Sequence, residues 1–165
     1  NCAGPSYLFT LYSSHMSNKK VIISSADEMF DLGVKLSKEL AASDVVVLTG
    51  DLGAGKTIFA KGIGHGLGHQ VVTSPTFVIS RIYKGEPNFI HIDAYRLLGS
   101  GQNSFIDLDF ESYLPSSIFV IEWGKEFVDS LTDQYLEIRI SPGQDESSRV
   151  VEYLPIGNRW SELQL

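Results

Sequence analysis

Apolar residues along this chain follow two rhythms, short continuous β-branched runs and longer stretches with helical spacing, and the two alternate. Val21-Ile22-Ile23 predicts a short strand. Ser24 and Ser25 offer an N-cap, and Asp27 and Glu28 sit in the first turn, where the helix dipole favours negative charge. Met29, Phe30, Leu32, Leu36 and Leu40 then fall at helical spacing, predicting a helix that runs to about Ala42. Val45-Val46-Val47-Leu48 is uninterrupted and bounded by turn residues, as expected of a strand buried on both faces of a parallel sheet. A second helix is predicted over residues 55–66. Further strands are predicted at Phe77-Val78-Ile79, Phe89-Ile90-His91-Ile92 and Ile118-Phe119-Val120-Ile121. Two later ones, over 135–140 and 150–153, are joined through the turn-prone Ser141-Pro142-Gly143. Strand and helix in alternation predict one α/β domain whose helices cover a mostly parallel sheet.

Composition narrows this picture. A chain of 165 residues is long enough for one compact domain and too short for two comfortable ones. No apolar run approaches the roughly 18 residues needed to span a bilayer, so no membrane role is expected. The single cysteine, Cys2, cannot form an internal disulfide, which suits a reducing, cytoplasmic setting. A net charge of −7 argues against direct gripping of DNA or RNA, where phosphates must be neutralised by Lys and Arg. Residues 1–20 mix Gly4, Pro5, serines and aromatics without a period, and Ser14-His15-Met16 reads as a cloning scar or as a start codon behind leader sequence. They are set aside as a disordered leader or tail, leaving 21–165 as the single domain.

The decisive local feature is Gly50-Asp51-Leu52-Gly53-Ala54-Gly55-Lys56-Thr57, which satisfies G-x-x-x-x-G-K-[ST] without a mismatch. Glycines let the backbone curl so that N–H groups point inward at phosphate oxygens, and the helix beginning near Gly55 adds its positive end to the same cavity. Lys56 can reach the β- and γ-phosphates of a nucleotide, and the Thr57 hydroxyl can ligate magnesium. A random chain of this length would match by chance roughly once in a hundred. Here the motif also follows a buried-strand pattern and precedes a helical one. The expected fold is therefore a P-loop NTPase-like three-layer α/β sandwich. Nucleotide contacts are expected from Asp51, Leu52, Gly53, Ala54, Gly55, Lys56, Thr57 and Ile58.

A P-loop needs acids at neighbouring strand ends to help hold the metal. Asp93 follows Phe89-Ile90-His91-Ile92, and Glu122 follows Ile118-Phe119-Val120-Ile121. Ligands gather at the carboxyl ends of parallel strands, so both can face the phosphates. Either acid alone would be read as a cap of the next segment, but the recurrence after two apolar runs favours function. Whether Glu122 ligates the metal or positions water stays open. Thr76, beside Pro75, is either a switch-like hydroxyl near the metal or a turn residue. Arg96 either stabilises charge on a transferring phosphoryl group or pairs with a surface acid. Trp123 is a core aromatic or a wall of the nucleotide pocket. His65, His69 and His91 lack a trustworthy metal-ligand spacing, and His91 reads as a hydrogen-bonded structural residue.

Taken in order, the P-loop, Ser74-Pro75-Thr76-Phe77, His91-Ile92-Asp93-Ala94-Tyr95-Arg96 and Ile121-Glu122-Trp123 resemble the bacterial TsaE (YjeE) family over about residues 21–153. The resemblance implies an ATPase of tRNA threonylcarbamoyladenosine biosynthesis, using ATP and magnesium. By the same resemblance it works with the TsaD and TsaB proteins and reaches tRNA only through them. It implies Lys56 and Thr57 as phosphate and magnesium residues, Asp93 as the Walker B-like acid, Glu122 as the second acid and Thr76 as the switch-like threonine. Ile58 stands where the family often has a second Thr or Ser. Asp107 to Leu114 lacks the glycine often found before the family's Tyr-Leu or Tyr-Phe pair.

Two further readings remain. P-loops also serve small-molecule kinases, although here a strand and a helix precede the loop and no late Arg cluster forms a lid. A scaffold that holds ATP without hydrolysing it is the reading from another class. A GTPase is disfavoured by the lack of an Asn-Lys-x-Asp motif.

Overall fold

The computed structural model describes residues 18–75 and 78–161. Its frame is one seven-stranded sheet in the order β1-β7-β6-β2-β5-β4-β3. The strands are β1 (Lys19–Ile23), β2 (Val45–Thr49), β3 (Ser80–Tyr83), β4 (Asn88–Asp93), β5 (Ser117–Glu122), β6 (Tyr135–Pro142) and β7 (Arg149–Ile156). The four central strands β6, β2, β5 and β4 run parallel. Antiparallel strands close both sides, β7 and β1 beyond β6 and β3 beyond β4. The uninterrupted apolar runs of β2, β4 and β5 occupy the middle, where both faces are covered.

Side chains alternate along these strands and feed two cores. Val46, Leu48, Phe89 and Val120 face α1 (Ala26–Ser37) and α2 (Lys56–Gly66), meeting Met29, Leu36, Phe59 and Ile63. Val45, Val47, Ile90 and Ile121 face the other way, against Phe105 of α3 (Gln102–Ile106), Phe110, Phe127 and Val128. That second face is covered by pieces, mostly short 3₁₀ turns at Phe110–Ser116 and Val128–Ser130, rather than by long helices. The three-layer α/β sandwich expected from the sequence is present, with a parallel centre and antiparallel margins.

The cap of α1 forms as expected: Glu28 N–H donates to Ser25 Oγ, and Glu28 in turn accepts from Ser24 N–H. The helix ends at Ser37 rather than near Ala42. Ser37 turns its hydroxyl onto the Val34 carbonyl, and Lys38, Glu39 and Leu40 donate to carbonyls three residues back, tightening the last turn until it unwinds. Helices α1 and α2 approach closely at Gly33 and Gly62, where any side chain would collide with the Phe59 and Phe30 carbonyls. This contact fixes α2 in place and therefore aims its N-terminus.

Three local expectations change. Phe77 lies outside the described residues, while Val78 and Ile79 form a turn and the strand starts at Ser80. Ile79 has a left-handed φ of 65°; its side chain packs on the second core, and its carbonyl accepts from Asp93 N–H just outside the β3–β4 pairing. β6 continues through Pro142, so the reversal into β7 falls at residues 143–148. β1 begins at Lys19, paired with Tyr153, two residues before the apolar run. Among the described residues no helix is long and apolar enough to cross a membrane.

Candidate functional site

The loop between β2 and α2 is built on glycine conformations. Gly53 and Gly55 adopt φ of 78° and 111°, where a side chain would strain the backbone. Gly55 is the N-cap of α2, and a Cβ there would also press on Met29. The first helical bond is Phe59 N–H to Gly55 O, so the N–H groups of Lys56, Thr57 and Ile58 have no partner within the helix. These groups, with the helix dipole behind them, make a site for anionic oxygen.

Lys56 is 5% exposed, and its ammonium donates to the carbonyls of Gly50 and Asp51 at 2.6 and 2.7 Å. It also lies 4.4 Å above the ring of Trp123, a cation–π distance. Burial lowers its pKa from the usual 10.5, opposed by the charges of Glu122, Asp93 and Asp51. The loop thus holds its lysine in a costly environment, bonded to the loop's own carbonyls and covered by the Trp123 ring.

Both predicted acids arrive at the same place. Asp93 ends β4, Glu122 ends β5, and the two are directly paired across the parallel ladder. Glu122 is 3% exposed. Its Oε1 accepts from the Thr57 hydroxyl at 2.8 Å, and its Oε2 lies 2.7 Å from His91 Nε2. Asp93 Oδ1 accepts from the Tyr95 N–H at 3.1 Å. Trp123, the next residue after Glu122, takes a left-handed φ of 59° while its N–H continues the ladder onto Leu48 O. A non-glycine residue held there stores strain of the kind found beside functional groups. Its ring meets Tyr95 edge-on at 5.2 Å.

These groups line a cleft of about 370 Å³ that takes in Lys56, Thr57, Asp93, Tyr95, Glu122 and Trp123. Thr57, Glu122 and Asp93 offer hard oxygen donors of the kind magnesium prefers, and two carboxylates share this cleft with one ammonium, leaving negative charge for a cation to offset. The residues present therefore fit magnesium. A second cleft of about 510 Å³ opens on the other side of the loop, between Asp51–Ala54 and the 143–148 turn with Arg149.

Of the expected site residues, the structure gathers Leu52, Gly53, Ala54, Gly55, Lys56, Thr57, Ile58, Asp93, Glu122 and Trp123 around one cleft, with Asp51 on the other. Thr76 lies outside the described residues. Arg96 sits exposed on the 3₁₀ turn Tyr95–Leu97. Two residues at the cleft were not among the expected site residues, His91 having been read as structural. Tyr95 lines the cleft, and its signal was its place two residues after a strand-end acid. His91 touches Glu122, and its signal was a polar residue inside an apolar strand, two positions before Asp93.

The chain matches the family model described as "Threonylcarbamoyl adenosine biosynthesis protein TsaE" over residues 23–151. It is 42% identical over 140 residues to the tRNA threonylcarbamoyladenosine biosynthesis protein TsaE of Streptomyces coelicolor, covering 81% of this chain and 94% of that one. Against the protein of the same name from Bacillus subtilis it is 35% identical over 122 residues, covering 73% and 75%. A crystal structure of Bacillus subtilis YdiB superposes with a TM-score of 0.69 at 33% identity, covering 89% of this chain and 92% of that one.

Proposed function

The chain belongs to the TsaE family, and from that premise we propose that it binds ATP with magnesium and hydrolyses it in the service of threonylcarbamoyl modification of tRNA. The modified base is the adenosine next to the anticodon, and the chain acts on a TsaB–TsaD complex in the cytoplasm rather than on tRNA directly. The observation that carries the catalytic half of this reading is the contact between Thr57 and Glu122. It joins the phosphate loop to the acidic strand ends, so a phosphate chain seated on α2 meets both carboxylates.

Each group then has a task. The unpartnered N–H groups at the start of α2 bind the phosphate oxygens, and Lys56 leaves the Gly50 and Asp51 carbonyls to take the β- and γ-oxygens. Thr57, Glu122 and Asp93 would hold magnesium, which supplies charge neutralisation at the β- and γ-phosphates. A carboxylate at this strand end also orients the water that attacks the γ-phosphorus, releasing ADP and phosphate. Trp123 and Tyr95 shield one side of the cleft from bulk water. The nucleoside half would extend into the cleft beside the 143–148 turn and Arg149, on the side of the loop away from Asp93 and Glu122.

The test is ATP hydrolysis with magnesium, alone and with a TsaB–TsaD pair added. Slow turnover that rises with the pair is expected, and Lys56→Ala should lower it by at least about 100-fold. Binding without hydrolysis in both conditions would make the chain a nucleotide-holding scaffold, and phosphate transfer to a metabolite would make it a kinase. An unaffected Lys56→Ala variant would remove the loop from the mechanism.

A further inference from the structure

One buried group beside the cleft has no task in that scheme. His91 is fully buried on β4, on the face that also carries Phe89, Val120 and the helix α2 contacts. An apolar side chain would fill this space without desolvating an imidazole. Its ring packs near that of Phe89, with centroids 6.1 Å apart. Its Nδ1 has no hydrogen-bond partner, and its Nε2 has one, Glu122 Oε2 at 2.7 Å. A carboxylate oxygen can only accept, so Nε2 carries a hydrogen and donates it to Glu122 Oε2.

We propose that His91 is a positioning residue that holds the Glu122 carboxylate so that its other oxygen stays on Thr57, where magnesium is to be held. The inference rests on the magnesium–ATP reading above. Glu122 has two oxygens and two partners, one on each. The Thr57 hydroxyl, in the first turn of α2, would itself be called on as a magnesium ligand, so it cannot be the group that sets the carboxylate. His91 is the partner that stays put, because it is anchored in the sheet and covered on all sides. With its N–H removed, Oε2 is left buried and unpaired, and the carboxylate turns to satisfy it. The orientation of Oε1 at Thr57 is then lost. Partners behind a metal-holding group act this way in metal sites generally, and their loss costs about 10–100-fold in metal affinity or activity.

The experiment compares wild type with His91→Leu, His91→Asn and His91→Gln. Calorimetry gives ATP affinity with magnesium and with EDTA, and steady-state kinetics give kcat and KM. The amide nitrogen of Gln reaches the place of Nε2, whereas that of Asn stops short at the level of Nδ1. Leu and Asn should keep wild-type ATP affinity in EDTA, lose most of the magnesium-dependent gain, and show kcat lowered about 10–100-fold. Gln should restore both. Melting temperatures and the EDTA titrations show whether each variant is folded, and the Asn–Gln pair decides the matter if Leu does not fold. If Leu and Asn keep the magnesium gain and kcat, or if Gln does no better than Asn, His91 is only a core residue and the inference falls alone. If wild type binds no ATP in either condition, the nucleotide reading falls and takes this inference with it.

Discussion

Strands β4 and β5 end side by side, each in a carboxylate, yet the two ends are built to different rules. Glu122 is held on both oxygens by side chains from other elements, Thr57 of α2 and His91 of β4. Asp93, its register partner, accepts one backbone N–H, from Tyr95 two residues on, and among the described residues no other hydrogen bond ties its side chain to the fold. One acid is therefore part of the scaffold as well as the site, and the other belongs mainly to the site. The difference shows that equivalent positions in a ladder need not carry equivalent loads. It also predicts that activity and stability separate at Asp93 and fall together at Glu122.

The largest effect should come from Glu122→Ala. Removing the carboxylate strands a buried His91 N–H and frees the Thr57 hydroxyl, so turnover should fall about 1000-fold and stability by about 1–3 kcal/mol. Asp93→Ala should lower turnover about 100-fold while costing only the one Tyr95 N–H bond, about 0.5–1.5 kcal/mol and less than at Glu122. Urea denaturation and ATP hydrolysis on the two variants check both halves. Equal losses of stability would break the contrast between the two ends.

How much of this could be read from the chain depends on what each element buries. The central strands were legible because burial on both faces writes a continuous run such as Val45-Val46-Val47-Leu48, and the acids were legible because they follow such runs directly. The P-loop was legible because its backbone needs glycine at Gly53 and Gly55, where φ is positive. The cover of the second face was not legible. Phe105, Phe110 and Val128 come from elements of only three to seven residues, too short to show a period. Nor was β3, whose Ser80–Tyr83 is half exposed at the sheet edge. His91 was read correctly as hydrogen-bonded, but its partner, 31 residues away, is set by the parallel register of β4 on β5 and has no local signal.

A smaller effect should come from Trp123→Phe, on the β5 side of the comparison. The change keeps a ring over Lys56 but weakens its negative face, at a cost of about 0.5–1 kcal/mol in holding the ammonium. ATP draws Lys56 away from the Gly50 and Asp51 carbonyls, so this variant should bind ATP up to about fivefold more tightly in EDTA, with kcat lowered only slightly. Weaker binding instead would mean that Trp123 contacts the nucleotide more than it stores the lysine.

The smallest effect tests the charge that sits between both strand ends. Burial holds Lys56 below its usual 10.5, while Glu122, Asp93 and Asp51 pull it back up. Because the unfolded lysine titrates at its ordinary value, the unfolded chain binds more protons between the lowered folded value and 10.5. Stability contributed at this position therefore rises with pH across that interval, and wild type should gain on Lys56→Met there in urea denaturation. Phosphate oxygens favour the charged form, so ATP binding takes up a proton in the same interval, and affinity falls as pH rises through the lowered value. Calorimetry in two buffers of different ionisation enthalpy reads this uptake directly. In Asp93→Ala and Glu122→Ala the ammonium loses an opposing charge, so the interval should widen, more for Glu122 because it is the larger of the two influences. An unchanged proton uptake in both variants would mean that neither strand end reaches Lys56, and the site would then be two separate halves.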